Sequence, residues 1–556
     1  MMRHYIGIDV GTGSARAGLF DCQGRLLGSA ACGLETFRPQ KGFVQQSSRL
    51  IWDAVCTAVK AAVAEAAIAA DTIAGLGFDA TCSLVVADEN GNPVTVSPNG
   101  EDDQDVILWM DHRAVADADE ITALGGKVLE HVGGRMSPEM ELPKIRWFKR
   151  ELPQSWAQAG SFWELPDWLV HRATATDMRS LCSPVCKWTY MGDKGRAGEG
   201  WDKAFLEKIG LVELADDNFA AIGNHFGAAG EAAGRLSEQA AAELGLPAGI
   251  AVSTALIDAY SGALGTLAVT DTAGISALEQ RLALIAGTSS CHIALSTEPM
   301  FVSGVWGPYY SALLPNLWDN EGGQSAAGAL IDAVIARHSA SHELAAQNRD
   351  KHITDLLNDH LADMAEETAT LTRHRHVQPD FHGNRSPLAE SWRKGAIAGL
   401  TLEHDNDDLA LDYLATIQAL AYGTRHILEE MRHTGLEIDT LVVSGGLARN
   451  PLYLREHADI TGCRVLVPEQ AEPVLLGSAM LGAVASGDFA TLPEAMAAMS
   501  GKAAVLEPRE GDLSGYHDMK YLVYRRMQMD YADYAELMDD MAMLEPDDEP
   551  YDDIEE

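Results

Sequence analysis

Two stretches of this chain, about half its length apart, carry the same order of apolar and polar positions. Residues 6–21, IGIDVGTGSARAGLFD, run apolar, then small and hydroxylated, then apolar again. Residues 282–296, LALIAGTSSCHIALS, repeat that order. Short apolar runs bounded by Gly, Ser and Thr predict two strands closed by a tight turn. From about residue 49 the spacing becomes helical, and Asp53, Lys60 and Glu65 interrupt the apolar residues, which marks an amphipathic helix. Residues 73–88, IAGLGFDATCSLVVAD, read as strand, polar turn, strand. The middle of the chain, 117–245, reads as helix-rich and holds Trp147, Trp156, Trp163, Trp168, Trp188 and Trp201, more readily core than binding platforms. A glycine-punctuated helix is predicted over 254–269, a linker over 269–281 and a long helix over 410–431. IDTLVVSGGLARNP (438–451) reads as strand, Gly-Gly turn and helix start. The pattern predicts a duplicated α/β fold.

Composition acts mainly by exclusion. At 556 residues the chain is too long for one core and should divide into two domains with elaborations. A formal net charge of −41 argues against a nucleic-acid partner, yet leaves room for a small anion held by backbone N–H groups. Of eight cysteines only Cys182 and Cys186 lie close, without the second pair a structural zinc site needs. No uncharged apolar run reaches the roughly 18 residues of a membrane span, and the opening MMRHYIGIDV lacks a signal-peptide core. A cytoplasmic protein without a membrane partner is expected. The closing EPDDEPYDDIEE (545–556) is a charge block with little to bury, expected to be a disordered tail.

The turns carry the chemistry. A glycine-and-hydroxyl turn presents several N–H groups to one small volume, a nest for phosphate oxygens. Thr12, Gly13 and Ser14 form one such turn, Gly287 and Thr288 a second, and Ser444, Gly445 and Gly446 a third, with Asn450 placed to meet a base or ribose. A tight hairpin explains any one of them alone. The dinucleotide fingerprint fails because Arg16 occupies the third glycine position, and the P-loop pattern occurs nowhere. Asp9 inside the first strand is a buried carboxylate that calls for a cation, and near a polyphosphate Mg²⁺ held through water suits it.

Those three turns, together with Asp258 in ALIDAYSGALG, resemble the FGGY carbohydrate kinases of the actin-like ATPase superfamily. The resemblance extends to WMDHR (109–113), PKIRWFKRE (143–151) and GLTLEHDNDD (399–408). FDATCSLVVAD, GGRMSPEMELPKIRW and FHGNRSPLAE point to its D-ribulokinase branch and are also similar to L-ribulokinases. The resemblance implies an α/β, actin-like (ribonuclease H-like) duplicated two-domain fold with an interdomain cleft. It implies a sugar-binding domain over 1–268, an ATP-binding domain over 282–500, and a C-terminal extension over 501–556. It casts Asp258 as catalytic base and Asp9 as the magnesium-associated carboxylate. Thr12, Gly13, Ser14, Gly287 and Thr288 then hold phosphates, and Gly328, Gly446 and Asn450 the nucleoside. Ala80, Thr81, Cys82, Lys187 and Glu321, with Asp258, face the sugar. Glu139 and Glu141 depart from the usual family pattern in a way that suits a ribulokinase-like branch.

The implied activity is ATP- and Mg²⁺-dependent phosphorylation of a ketopentose, D-ribulose first, with L-ribulose, xylulose or a pentitol as rivals. A rival of another class is an actin-like nucleotide switch that phosphorylates no sugar. Taken alone, Asp258 is more readily an N-cap, Lys187 equally a side chain snorkelling over aromatic surface, and Glu321 equally a solvated loop acid. The roles of His112 and Arg113 stay open, and a homodimer is expected from family habit only.

Overall fold

The computed structural model describes residues 3–101, 103–270, 278–347, 350–470 and 472–542. Most of the expected linker and all of the acidic tail lie outside them.

Both predicted hairpins form. β1 (His4–Val10) pairs antiparallel with β2 (Ser14–Asp21), and β2 with β3 (Leu26–Gly33). β4 (Ile73–Ala80) lies parallel to β1 on its other side. Every residue of β1 is buried, which is why it reads as a nearly unbroken apolar run. β5 (Ala232–Arg235), β6 (Ala251–Ser253) and β7 (Leu256–Ile257) complete this sheet; β6 and β7 run parallel to β4, and β5 antiparallel to β6.

The second sheet is built from β8 (Arg281–Ala286), β9 (Ser290–Ser296), β10 (Trp306–Tyr310), β11 (Trp318–Gln324), β12 (Thr440–Ser444), β13 (Arg464–Pro468) and β14 (Ala503–Leu506). It repeats the plan of the first. An antiparallel meander, β11-β9-β8, meets the parallel strands β12 and β13, and an antiparallel strand closes the edge. In the first sheet the corresponding run is β3-β2-β1, β4, β6 and β5. The duplication suggested by two short hairpins therefore extends across both sheets.

Six helices position the site: α1 (Ser48–Ala66), α2 (Asp258–Thr266), α3 (Asn406–His433), α4 (Pro451–Thr461), α5 (Pro473–Ala485) and α6 (Asp512–Ala542). Ser47 caps α1 by accepting from the Leu50 N–H, and Asp405 caps α3 by accepting from the Asp408 N–H. One apolar cluster crosses the two halves, joining Leu256, Tyr260 and Ala263 to Ala283, Val442, Leu475 and Ala479. Among the described residues, no helix is long and apolar enough to cross a membrane.

Three boundaries differ from the sequence expectation. The helix expected from 254 begins at Asp258, because Leu256 and Ile257 pair with Asp79 and Ala80 as a strand. β14 lies in the expected extension but pairs with β13, so the second sheet ends beyond residue 500. α5 lies in sequence between β13 and β14 of the second sheet yet packs on the first. A Cβ on Gly7 would lie 1.9 Å from the Leu475 carbonyl oxygen, and one on Gly77 1.8 Å from that of Ser478. Only glycine lets strand and helix backbones approach this closely. α6 then packs on α3 through Tyr422, Tyr521 and Tyr524.

Candidate active site

The two hairpin turns face each other across a cavity of about 500 Å³. From the first half, Asp9, Thr12, Gly13, Ser14, Thr81, Cys82, Lys187 and Asp258 line it; from the second, Gly287, Thr288 and Glu321 do. Eleven of the residues singled out from the sequence thus meet in one place.

Strand register places the charges. Asp9 stands opposite Arg16 in the hairpin and opposite Asp79 in the parallel pair β1–β4. Arg16 Nε donates to Asp9 Oδ2 at 2.6 Å, and Arg16 Nη1 lies 2.9 Å from Glu472 Oε2. Asp79 is fully buried; it accepts from the Ser478 hydroxyl at 2.6 Å, and its other oxygen has no partner among the described residues. Burial first, then the charge of Asp9, pushes the Asp79 carboxyl well above the usual carboxylate range.

Asp258 opens α2 at the end of β7 and accepts from the Ala259 N–H at 2.7 Å. The N-cap position itself belongs to Ile257, so Asp258 does not serve as the N-cap. Burial, and next the charge of Asp9, raise the Asp258 carboxyl to about 6. Lys187 is buried, which opposes its charge, but neighbouring groups led by Glu321 offset this and hold its pKa well above the ordinary value. Its ammonium lies 3.7 Å from Glu321 and 4.3 Å from the centre of the Trp306 ring. Both residues point inward, so neither the snorkelling nor the solvated-acid alternative describes them.

The turns are braced from behind. Trp109 Nε1 donates to the Thr12 hydroxyl at 3.0 Å, and Gln46 donates to the Thr12 carbonyl at 2.9 Å. In the second turn the Gly328 N–H donates to the Gly287 carbonyl at 2.9 Å, and the Ala327 N–H to that of Thr288 at 2.8 Å.

Four expected residues lie outside the cavity lining. Ala80 is buried one residue behind the wall, at the end of β4. Gly328 supports the second turn, and a Cβ there would sit 2.7 Å from the Gly287 carbonyl oxygen. Gly446 is exposed at the start of a short 3₁₀ turn after β12. Asn450 corrects its expectation most clearly. Its oxygen caps α4 by accepting from the Leu452 and Tyr453 N–H groups, and its nitrogen donates to the Tyr413 hydroxyl at 2.7 Å. The Asn450 side chain serves as a helix cap in this structure.

Other residues enter the wall that the sequence reading left without a role: Arg16, Trp109, Glu139, Cys291 and Arg385. Glu139 had a signal as a departure from the family pattern, while Trp109 and Arg385 stood inside quoted motifs. His112 stacks on His382 of the second half with ring centres 5.5 Å apart, and Arg113 is buried against Asp111 at 2.8 Å.

The donor set fits a hydrated divalent cation. The Asp9 and Asp258 carboxylates both face the cavity and offer hard oxygen donors there. Comparison with known proteins identifies the family. Models of the N-terminal and C-terminal domains of the FGGY family of carbohydrate kinases match residues 4–265 and 282–486. The chain is 47% identical over 550 residues to a human FGGY carbohydrate kinase domain-containing protein, covering 97% of this chain and 98% of that one. It is 40% identical over 518 residues to a D-ribulokinase of Saccharomyces cerevisiae, covering 88% and 72% of the two chains. The structure of a xylulose kinase from Rhodospirillum rubrum superposes with a TM-score of 0.76 at 18% identity, covering 96% and 99%. The chain belongs to the FGGY family of carbohydrate kinases and is an ATP-dependent sugar kinase with the two-domain α/β fold of that family.

Proposed function

We propose that this sugar kinase transfers the γ-phosphoryl group of ATP to D-ribulose, with Asp258 as general base. The observation that carries the reading is the place of Asp258. It lies in the same cavity wall as both glycine turns and as the Lys187–Glu321 pair. A carboxyl raised to about 6 is ionised at neutral pH yet more basic than an ordinary aspartate. The relative named D-ribulokinase supports the choice of sugar.

In this mechanism Lys187, Glu321 and the Thr81–Cys82 turn orient the sugar, and the two glycine turns hold the phosphates from opposite sides. The sugar hydroxyl gives its proton to the Asp258 carboxylate as its oxygen bonds to the γ-phosphorus. The bond from that phosphorus to the bridging oxygen breaks, and the electron pair leaves on ADP. Asp9 would hold Mg²⁺ through its hydration shell, and the ion, when bound, offsets charge on the phosphates. Thr12, pinned by Trp109, keeps the first turn in place without reorganisation. Gly446 and the α4 end then serve the nucleoside through backbone and shape rather than through the Asn450 side chain.

The test is coupled ADP release with Mg·ATP over D-ribulose, L-ribulose, D-xylulose, L-xylulose, ribitol, glycerol and no sugar, with Asp258→Asn alongside. Turnover that requires D-ribulose and is lost in the variant is the expected result. Preference for another sugar overturns the choice of substrate and leaves the base. Sugar-independent turnover, equal in the variant, overturns both.

A further inference from the structure

Arg385, inside the FHGNRSPLAE stretch of the second half, reaches the cavity wall. Its Nη2 donates to both carboxylate oxygens of Glu139, at 3.1 and 3.2 Å, and Glu139 belongs to the first half. The side chains are 7% and 15% exposed, so this is a nearly buried bridge between the two domains. The guanidinium has a built seat. Trp306 lies under it with its ring centre 5.5 Å away, and a Cβ on Gly323 would come within 3.0 Å of Arg385 Cδ and Nη1. Arg385 Nε is buried and has no hydrogen-bond partner among the described residues. The bridge therefore leaves part of the guanidinium's donor capacity unused in a side chain that lines the cavity.

We propose that Arg385 is a substrate-binding residue that donates a hydrogen bond to an oxygen of the ketopentose, and that Glu139 is the positioning residue that holds its guanidinium. The proposal rests on the ketopentose reading above. Two features favour a sugar oxygen over a phosphate. Glu139 already offsets the charge of Arg385, which leaves a donor suited to a neutral hydroxyl or carbonyl. The ammonium of Lys187 lies over the same Trp306 ring, beside Glu321, so Arg385 stands at the sugar end of the cavity. Because the bridge joins the two halves, a sugar bound there touches both, and its binding favours the closed cleft.

The test measures steady-state kinetics of wild type, Arg385→Gln, Arg385→Lys and Glu139→Gln. Substrates are the best ketopentose of the panel above and its single-deoxy analogues, and the KM for ATP and the melting temperature are recorded for each protein. Arg385→Gln is expected to raise the sugar KM at least about 10-fold, with the KM for ATP within about twofold. One deoxy analogue, lacking the oxygen that Arg385 meets, should no longer distinguish variant from wild type. Glu139→Gln shifts the same KM in the same direction by less. Should Arg385→Gln fail to fold, Arg385→Lys and Glu139→Gln carry the same comparison. An unchanged sugar KM, or an equal loss on every analogue as a mere prop would give, overturns the proposal. A wild type active on the ketopentose beside unaltered variants overturns this proposal alone; a wild type active on no ketopentose overturns the substrate reading and this with it.

Discussion

The two halves share a backbone plan, but their hairpins carry different charges at equivalent positions. In the first, Asp9 faces Arg16 across the hairpin and Asp79 across the parallel pair. In the second, the residue two before the turn glycine is Ile285, and its register partners are Cys291 and Ser444. Both turns keep a glycine followed by threonine, and both line the cavity. Duplication has kept the glycine–threonine turn in both hairpins and the facing carboxylates in one. On the proposed reading the difference teaches that phosphate holding needs only backbone geometry, which a repeated hairpin supplies twice. Proton transfer and cation holding need a carboxylate in a desolvated place, and a second set opposite the first would repel the phosphates between them.

The sharpest way to break this comparison is at Asp258, which adds to the charge of the first half. Asp258→Asn should lower kcat by about 10²–10⁴-fold in the ADP-release assay, the range for a lost general base. Its folded pKa of about 6 lies above the ordinary aspartate value, so the folded state binds protons more tightly, and stability from this group falls as pH rises through that window. At neutral pH the variant should therefore melt no lower than wild type, which calorimetry checks.

Next in size is one member of each register pair, Asp9 in the first half and Ser444 in the second. Asp9→Asn should cut kcat/KM by about 100-fold and raise the Mg²⁺ needed for half-maximal rate, as loss of a cation-holding carboxylate does. Ser444→Ala, at the register position matching Asp79, should stay within about threefold of wild type. Equal losses in both would mean that the charge asymmetry has no catalytic meaning.

The pH profile sharpens the same point. With Asp258 as base, log kcat/KM should fall with unit slope as pH drops below about 6 and level off above it. A profile flat down to pH 5 would remove Asp258 from proton transfer.

The smallest effect is expected at Asn450. As a helix cap, Asn450→Ala should cost about 1 kcal/mol of stability, read as a lower melting temperature, and leave the KM for ATP within about twofold. A large rise in that KM with unchanged stability would return Asn450 to the nucleoside.

Asp9 and the glycine turns are legible because their signals are local: a carboxylate within an apolar run, and a turn that needs small residues; Asp258 is singled out only through the resemblance. Lys187 and Glu321 were found through the resemblance, and their pairing at 3.7 Å was not, since 134 residues separate them and neither carries a local cue. Glu139 and Arg385 show the same limit more plainly. Each stood in a quoted stretch, but the bridge between them exists only when the two halves meet. Asn450 shows the converse. The strand and Gly-Gly turn before it are legible, while the role of its side chain is not, because an N-cap and a ligand contact draw on the same side chain.

What the sequence by itself determined is the repeated strand–turn–strand pattern, the place of the turns and the acid within the first strand, since periodicity, turn chemistry and buried charge are written locally. The tertiary structure alone decided that α5 packs against the first sheet, that β14 closes the second, and which charges face one another across the cleft. Those outcomes depend on contacts between residues hundreds of positions apart, as where the backbones of Gly77 and Ser478 meet, and packing of that range leaves no periodic trace in the chain.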